Sequence, residues 1–126
     1  MKNYLWDVFK FQSQNFNILI VEDSSSILRI IDNIFRKNEF NTFLATSLKE
    51  ARQKINLHKI DYVILDINLP DGHGYELIKE LSSSYSKIIV LTSQTDSQLK
   101  EASYQKGVID FINKDKNFLY KNGVKI

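Results

Sequence analysis

Residues 62–74 read YVILDINLPDGHG, and this stretch decides the fold. A short apolar run, Tyr62 to Leu65, ends in the carboxylate Asp66, and a segment with one proline and two glycines follows. Short apolar runs bounded by turn residues are typical of buried strands in a parallel sheet. The stretch therefore predicts a strand that delivers Asp66 into a loop, with Asp71 and Gly72 as turn residues before the next helix.

Three further apolar runs end in the same way, in polar side chains. The runs and the residues that follow them are 17–21 with Glu22 and Asp23, 87–91 with Thr92 and Ser93, and 108–113 with Lys114. In an open α/β sheet, ligands bind where the carboxyl ends of the strands meet. We therefore expect one polar site that contains carboxylates, a hydroxyl group and an ammonium group.

Longer stretches with apolar residues at helical spacing separate these runs. Three of the predicted helices cover about 25–37, 96–105 and 115–122, and one more strand is predicted at 41–45. Two further helices are predicted from their apolar residues: one begins at Ser47 and presents Leu48, Ala51 and Ile55, and the other carries Tyr75, Leu77, Ile78 and Leu81. The second helix begins at a capping box, Ser47-Leu48-Lys49-Glu50, and Gly107 is placed to end the fourth. Alternating strands and helices predict an α/β fold, a doubly wound five-stranded parallel sheet with helices on both faces.

Composition bounds the class of protein. A chain of 126 residues with 43% hydrophobic and 25% charged residues fits one globular domain. The absence of cysteine excludes disulfides, zinc thiolate sites and cysteine nucleophiles. The net charge is only +2 and the lysines are scattered, so we expect no direct binding of nucleic acid.

No apolar run approaches the roughly 20 residues of a membrane span, and the start of the chain lacks the apolar core of a signal peptide. We therefore expect a cytoplasmic protein without membrane attachment. Residues 1–16 stand outside the alternation, and their apolar side chains share one helical face. We predict an N-terminal extension over 1–16, an amphipathic helix that packs on its own domain or on another chain, and a domain over 17–126 with a short last helix.

Three carboxylates are expected to meet at the strand ends. Glu22, Asp23 and Asp66 would repel one another unless a cation or a proton relieves them. Ligands that are all oxygen favour Mg²⁺, with Mn²⁺ as an alternative. Lys114 and Thr92 can hold the oxygens of a phosphoryl group, and Asp66 is the candidate nucleophile for phosphoryl transfer.

Four pieces of sequence, in this order and spacing, resemble the receiver domain of bacterial two-component response regulators. They are ILIVED at 18–23, LDINLPDGHG at 65–74, LTS at 91–93, and Gly107 with DFINK at 110–114. The resemblance covers residues 17 to about 121, and it implies the flavodoxin-like strand order 2-1-3-4-5 for the sheet. It implies that the chain is a signalling domain that assists only its own phosphorylation and dephosphorylation, and not an enzyme for an external substrate.

The resemblance also assigns roles at the phosphorylation site. Asp66 would accept a phosphoryl group from the phosphohistidine of a histidine kinase or a phosphotransfer protein. Glu22, Asp23, Asp66 and the backbone carbonyl of Asn68 would bind Mg²⁺, and Lys114 would pair with the phosphoryl group. Glu22 stands where aspartate is commoner in the family, which lengthens one ligand arm.

Further roles concern switching. Thr92 and the aromatic residue Phe111 would change position on phosphorylation, and Asn68 and Gln94 would tune hydrolysis of the acyl phosphate. The output surface would be the fourth helix, fifth strand and fifth helix, facing an output domain or a homodimer partner. It would include Gln98, Lys100, Glu101, Tyr104, Lys106 and Phe118.

Two other readings remain open. Asp115 replaces the proline that usually follows the lysine in this family, and with the short last helix it favours a receiver-like interaction module that is independent of phosphorylation. An aspartyl-phosphate-type phosphatase on a related scaffold is the other alternative. Such enzymes usually carry a second acid near the nucleophile, whereas Asn68 stands two residues after Asp66.

Overall fold

The computed structural model describes residues 16–93 and 97–114. Along the chain the elements are β1 (Asn17–Val21), α1 (Ser25–Lys37), β2 (Asn41–Ala45), α2 (Leu48–Leu57), β3 (Tyr62–Asp66), β4 (Asn68–Leu69), β5 (Gly72–His73), α3 (Tyr75–Leu81), β6 (Lys87–Thr92), α4 (Ser97–Gln105) and β7 (Val108–Asn113). The predicted helices at 1–16 and 115–122 lie outside the described residues, except for Phe16, as does the predicted start of the fourth helix at Asp96.

The five long strands form one parallel sheet in the order β2-β1-β3-β6-β7. This confirms the predicted order 2-1-3-4-5, because the two-residue strands β4 and β5 pair only with each other. The apolar runs form strands because β-branched and aromatic side chains pack well on a pleated surface that is buried on both sides.

A hydrophobic core lies on each face of the sheet. Alternate residues of one strand point to opposite faces, so Leu19 and Val21 enter one core while Ile18 and Ile20 enter the other. Helices α2 and α3 supply apolar side chains to the first core, and α1 supplies them to the second. Each fully buried side chain of this size contributes about 1.5–3 kcal/mol to stability.

Two helices, α1 and α2, begin where a serine side chain accepts a hydrogen bond from an amide of the first turn. Ser24 Oγ accepts from the amide of Ile27 at the start of α1. Ser47 Oγ accepts from the amide of Glu50 at the start of α2, at 3.1 Å. These contacts satisfy amides that have no partner within the helix.

The predicted capping box is wrong in its second half. The carboxylate of Glu50 accepts from the amide of Thr46, at 2.7 Å, and not from the amide of Ser47. The hydroxyl of Thr46 donates to the same oxygen, at 2.8 Å. By reaching one residue further back, the carboxylate gains two donors in place of one.

The hairpin of β4 and β5 was not predicted, because two-residue strands carry no periodic signal. Of the two predicted turn residues, Asp71 lies in the turn between these strands, whereas Gly72 is the first residue of β5. Within the described residues, no helix has the length and apolar character needed to span a membrane.

Gly107 separates α4 from β7, as predicted. Its amide donates to the carbonyl of Tyr104, and its φ of +97° lies in a region that L-residues rarely adopt. A Cβ atom added at Gly107 would meet no atom within 4 Å. Any cost of a side chain there is therefore backbone strain and not a clash.

We expect Gly107→Ala to lower the free energy of unfolding by about 1–2 kcal/mol, because alanine disfavours positive φ. Urea denaturation measures this. Lys106→Ala, one exposed residue earlier, is the control and should stay within about 0.5 kcal/mol of the parent chain. Equal stabilities of the two variants would contradict the assigned role of Gly107.

Candidate functional site

The parallel register brings the acidic residues together. Val21 pairs with Leu65, so the residues that follow them, Glu22 and Asp66, emerge side by side at the carboxyl edge of the sheet. One carboxylate oxygen from each of Glu22, Asp23 and Asp66 lies within 4.8 Å of the others. Glu22 and Asp66 are buried, whereas Asp23 is exposed. The expected acidic cluster therefore exists, with one member open to solvent.

Lys114 extends into this cluster from the end of β7. Its Nζ lies 2.7 Å from Glu22 Oε1 and 3.4 Å from Asp66 Oδ2. Its amide donates to the carbonyl of Thr92 at 2.8 Å, which ties the ends of β6 and β7 together. The ammonium group thus reaches both buried carboxylates, although the peptide bond to Asp115 lies outside the described residues.

Burial and opposing charges set the protonation of this cluster. Burial, and then the hydrogen bond and charge of Asp66, raise the pKa of Glu22 to about 7, against the lowering effect of Lys114. Burial would lower the pKa of Lys114, but the hydrogen bond and charge of Glu22, followed by the charge of Asp66, outweigh it and raise that pKa. The ammonium at 2.7 Å favours the ionised form of Glu22, so this acid lies between two opposing influences. Among the described residues, the ammonium group of Lys114 thus faces three carboxylates, which leaves an excess of negative charge when all three are ionised.

The loop after β3 folds back on the strand that carries Asp66. The amide of Asn68 donates to Asp66 Oδ1 at 3.3 Å, and the amide of Gly74 donates to the carbonyl of Ile67 at 2.6 Å. A Cβ atom at Gly74 would lie only 2.9 Å from the backbone oxygen of Asp66. Glycine at this position therefore permits the close return of the loop.

The two residues expected to switch are both buried. Thr92 ends β6 with 7% of its surface exposed, and Phe111 in β7 is 2% exposed. The ring of Phe111 packs edge-on against Tyr104 of α4, with centroids 5.3 Å apart, and Lys100 Nζ lies 5.9 Å from its centre. Gln94, expected to tune hydrolysis, lies outside the described residues.

Residues of the expected output surface line the outer side of α4. A surface groove of about 450 Å³ is bordered by three of the expected residues, Lys100, Glu101 and Tyr104. Ser97 and Gln105 complete its border. Tyr104 and Ile109 of β7 are large hydrophobic residues that remain 42% and 45% exposed. Phe118, the last residue expected on this surface, lies outside the described residues.

Asp71, predicted only as a turn residue, also binds the start of α2 through its side chain. Its two carboxylate oxygens accept from the amides of Leu48 and Lys49, at 2.8 and 2.9 Å, and these bonds lower its pKa. Asp71 lies in the hairpin turn after Asp66, whereas its partners lie at the start of α2. No local pattern connects positions 22 and 23 residues apart, so only the folded structure brings them together.

Comparison with known proteins places the chain among response regulators. A profile described as "Response regulator receiver domain" matches residues 18–119. The KDP operon transcriptional regulatory protein KdpE of Escherichia coli is 33% identical over 99 residues, which cover 78% of this chain and 44% of that protein. The chain thus spans less than half the length of this curated relative.

Two solved structures have the same fold. A CheY-like response regulator receiver domain protein from Methanospirillum hungatei superimposes with a TM-score of 0.76 at 26% identity, covering 82% of this chain and 85% of that one. The beryllofluoride-activated N-terminal receiver domain of RstA from Klebsiella pneumoniae gives a TM-score of 0.71 at 28% identity, covering 79% and 86%.

We expect Lys114→Met to lower the free energy of unfolding by about 3 kcal/mol in the presence of a chelator, because Glu22 and Asp66 lose their buried counter-charge. Urea denaturation is the measurement. Adding Glu22→Gln to Lys114→Met should restore part of the loss.

Arg52→Met is the matched control for this prediction. Arg52 is also a long cationic side chain, and the substitution breaks its ion pair with Glu80. Both side chains of that pair are more than 40% exposed. Exposed pairs contribute about 0–1 kcal/mol. Equal losses in Lys114→Met and Arg52→Met would show that removing Lys114 leaves no costly unpaired charge at Glu22 and Asp66.

Proposed function

The chain belongs to the response regulator receiver domain family, and from that membership we propose that Asp66 accepts a phosphoryl group from a histidine kinase or a phosphotransfer protein. The domain is a signalling domain of two-component systems. The observation that carries the proposal is the convergence of Glu22, Asp23, Asp66 and Lys114 at one edge of the sheet.

Asp66 is the group that attacks phosphorus. One of its carboxylate oxygens forms a bond to phosphorus while the bond between phosphorus and the imidazole nitrogen breaks. The bonding electron pair stays on that nitrogen, and a ring already protonated on its other nitrogen leaves as neutral imidazole. The product is an acyl phosphate on Asp66.

Lys114 supplies a counter-charge for the transferred group. Its Nζ lies 3.4 Å from Asp66 Oδ2, so an oxygen of a phosphoryl group on Asp66 would be within its reach. The ammonium is held at 2.7 Å from Glu22 before transfer. We propose that it turns from Glu22 toward the phosphoryl oxygens as negative charge accumulates at Asp66.

The donor set fits a hard divalent cation, because three carboxylate oxygens approach one another and one of the acids, Asp23, is exposed to arriving ions. Glu22, Asp23, Asp66 and the carbonyl of Asn68 would hold Mg²⁺, or Mn²⁺ in its place. When bound, the cation neutralises charge on the phosphoryl oxygens. Glu22 Oε1 bonds to Lys114 at 2.7 Å, and the longer arm of this residue would let it also reach the cation.

Signalling would pass from Asp66 to α4 through two buried residues. Thr92 would hydrogen-bond the phosphoryl group, and the ring of Phe111 would follow the change. Phe111 already contacts Tyr104 on the face that borders the α4 groove, which provides a packed route to the surface. The groove and the exposed Ile109 would face an output domain or a second copy of the chain, and Asn68 and Gln94 would set the lifetime of the acyl phosphate.

We expect the parent chain to gain acid-labile, hydroxylamine-sensitive phosphate from acetyl phosphate with Mg²⁺, and Asp66→Asn to gain none. Phosphate-affinity electrophoresis measures the gain. Asp61→Asn is the control, because Asp61 bonds to Asn17 and Tyr85 at the opposite edge of the sheet. A parent chain that stays unlabelled beside a labelled known receiver would contradict the proposal and favour the interaction module.

We expect Asp23→Asn to weaken the binding of Mg²⁺ by about tenfold or more, because one charged ligand is lost. Isothermal titration calorimetry measures the affinity. Glu101→Gln removes an exposed acid on α4 and should leave it unchanged. Equal affinities of Asp23→Asn and the parent chain would remove Asp23 from the proposed ligand set.

A further inference from the structure

Asp71 joins the loop after β3 to a helix that the phosphorylation chemistry does not involve. Its Oδ1 accepts from the amide of Leu48 at 2.8 Å, and its Oδ2 accepts from the amide of Lys49 at 2.9 Å. Both amides belong to the first turn of α2. One carboxylate thus holds two positions of a helix that precedes it in the chain by more than twenty residues.

Two residues, Ser47 and Asp71, supply the hydrogen-bond acceptors for the first amides of α2. Ser47 accepts from the amide of Glu50 through its hydroxyl and from the amide of Ala51 through its carbonyl. The amides of Leu48 and Lys49 are left for Asp71. The positive end of a helix favours a carboxylate, so the contact is stabilising for both partners. The helix therefore provides Asp71 with a fixed anchor.

The other end of the connection is the phosphorylation loop. Asp71 lies between β4 and β5, whose pairing sets Asn68 opposite His73. The amide of Asn68 bonds to Asp66 Oδ1, and the amide of Gly74 closes the loop on Ile67. A displacement of Asp71 would therefore be transmitted through a short hairpin to Asn68.

The tip of the hairpin rests directly on its neighbours. A Cβ atom at Gly72 would lie 2.7 Å from Leu48 Cδ1 and 2.6 Å from Glu76 Oε2. The same oxygen of Glu76 accepts from the amide of His73 at 3.3 Å. The backbone at Gly72 thus lies close to α2 and α3, whereas the side chain of Asp71 is exposed and is held by its two hydrogen bonds to α2.

The geometry points to Asp71 as a positioning residue that anchors the loop from Asn68 to Gly74 on α2 and so places the carbonyl of Asn68 for the divalent cation. The anchoring stands on the contacts of Asp71, whereas its effect on the cation rests on the proposed function. Asp71 is outside the proposed ligand set and would touch neither the phosphoryl group nor the cation. It acts through the backbone of the hairpin.

The test compares Asp71→Ala with Ser47→Ala. Both substitutions remove capping contacts from the same turn of α2, but only Asp71→Ala also releases the hairpin. Asp71→Asn keeps one side-chain oxygen and should be intermediate. Both alanine variants should melt at lower temperature than the parent chain, so melting alone does not separate the two roles.

Two further measurements separate them. In metal-free protein, hydrogen exchange of the amides of Asn68, His73 and Gly74 should become about tenfold faster in Asp71→Ala and stay unchanged in Ser47→Ala. Calorimetric titration with Mg²⁺ alone should show about tenfold weaker binding by Asp71→Ala, the size of loss typical of residues that orient ligands, and the parent affinity in Ser47→Ala.

Each other outcome overturns part of the inference. Parent-like exchange and affinity in Asp71→Ala, or equal changes in both alanine variants, would reduce Asp71 to a helix cap. If the parent chain itself binds no Mg²⁺, the proposed function fails, and the exchange comparison decides the anchoring independently.

Discussion

The parallel pairing of β1 with β3 and of β3 with β6 is the constraint on which the site depends. Its register sets Val21 beside Leu65 and Asp66 beside Leu91, so the carboxyl ends of three strands finish at one level. A slip of one residue would turn every side chain of a strand to the opposite face. Because both faces of the sheet are packed with apolar side chains, such a slip would break two cores at once.

This constraint allows the chain to keep unfavourable charges in a fixed place. Two carboxylates, Glu22 and Asp66, are buried side by side, and the hydrophobic packing of the strands below them offsets the cost. Lys114 reduces that cost further by bonding to Glu22 at 2.7 Å. A buried pair of this kind adds little net stability, because the cost of desolvating both groups offsets their attraction. Its main effect is to fix the position of the charged groups.

The loop after β3 illustrates how a site on a sheet edge is connected to the rest of the molecule. Gly74 allows the chain to return close to Ile67, and Asp71 fastens the tip of the loop to α2. The end of β6 is tied in a different way, by the hydrogen bond from the amide of Lys114 to Thr92. The segments around the acidic cluster are thus held by two backbone hydrogen bonds and by the side chain of Asp71.

Prediction from sequence succeeded where the information is local or periodic. The apolar runs gave strands because their side chains must be buried on both faces, and the serine at the start of α2, Ser47, gave a cap because its hydroxyl reaches an amide three residues on. It failed at the β4–β5 hairpin, which is too short for a pattern. It also misplaced the partner of Glu50, because the choice between Thr46 and Ser47 depends on the geometry of the turn.

The sequence by itself determined the order of strands and helices and the polar residues that follow each strand, since burial and helical periodicity are written in neighbouring positions. It also predicted that polar residues at the strand ends meet, but which side chains bond to one another was decided only by the tertiary structure. Lys114 bonds to Glu22 across 92 positions, and Asp71 bonds to α2 across more than twenty. Contacts of this kind leave no local signal, because their distances and angles are set by the packing of the sheet and its helices.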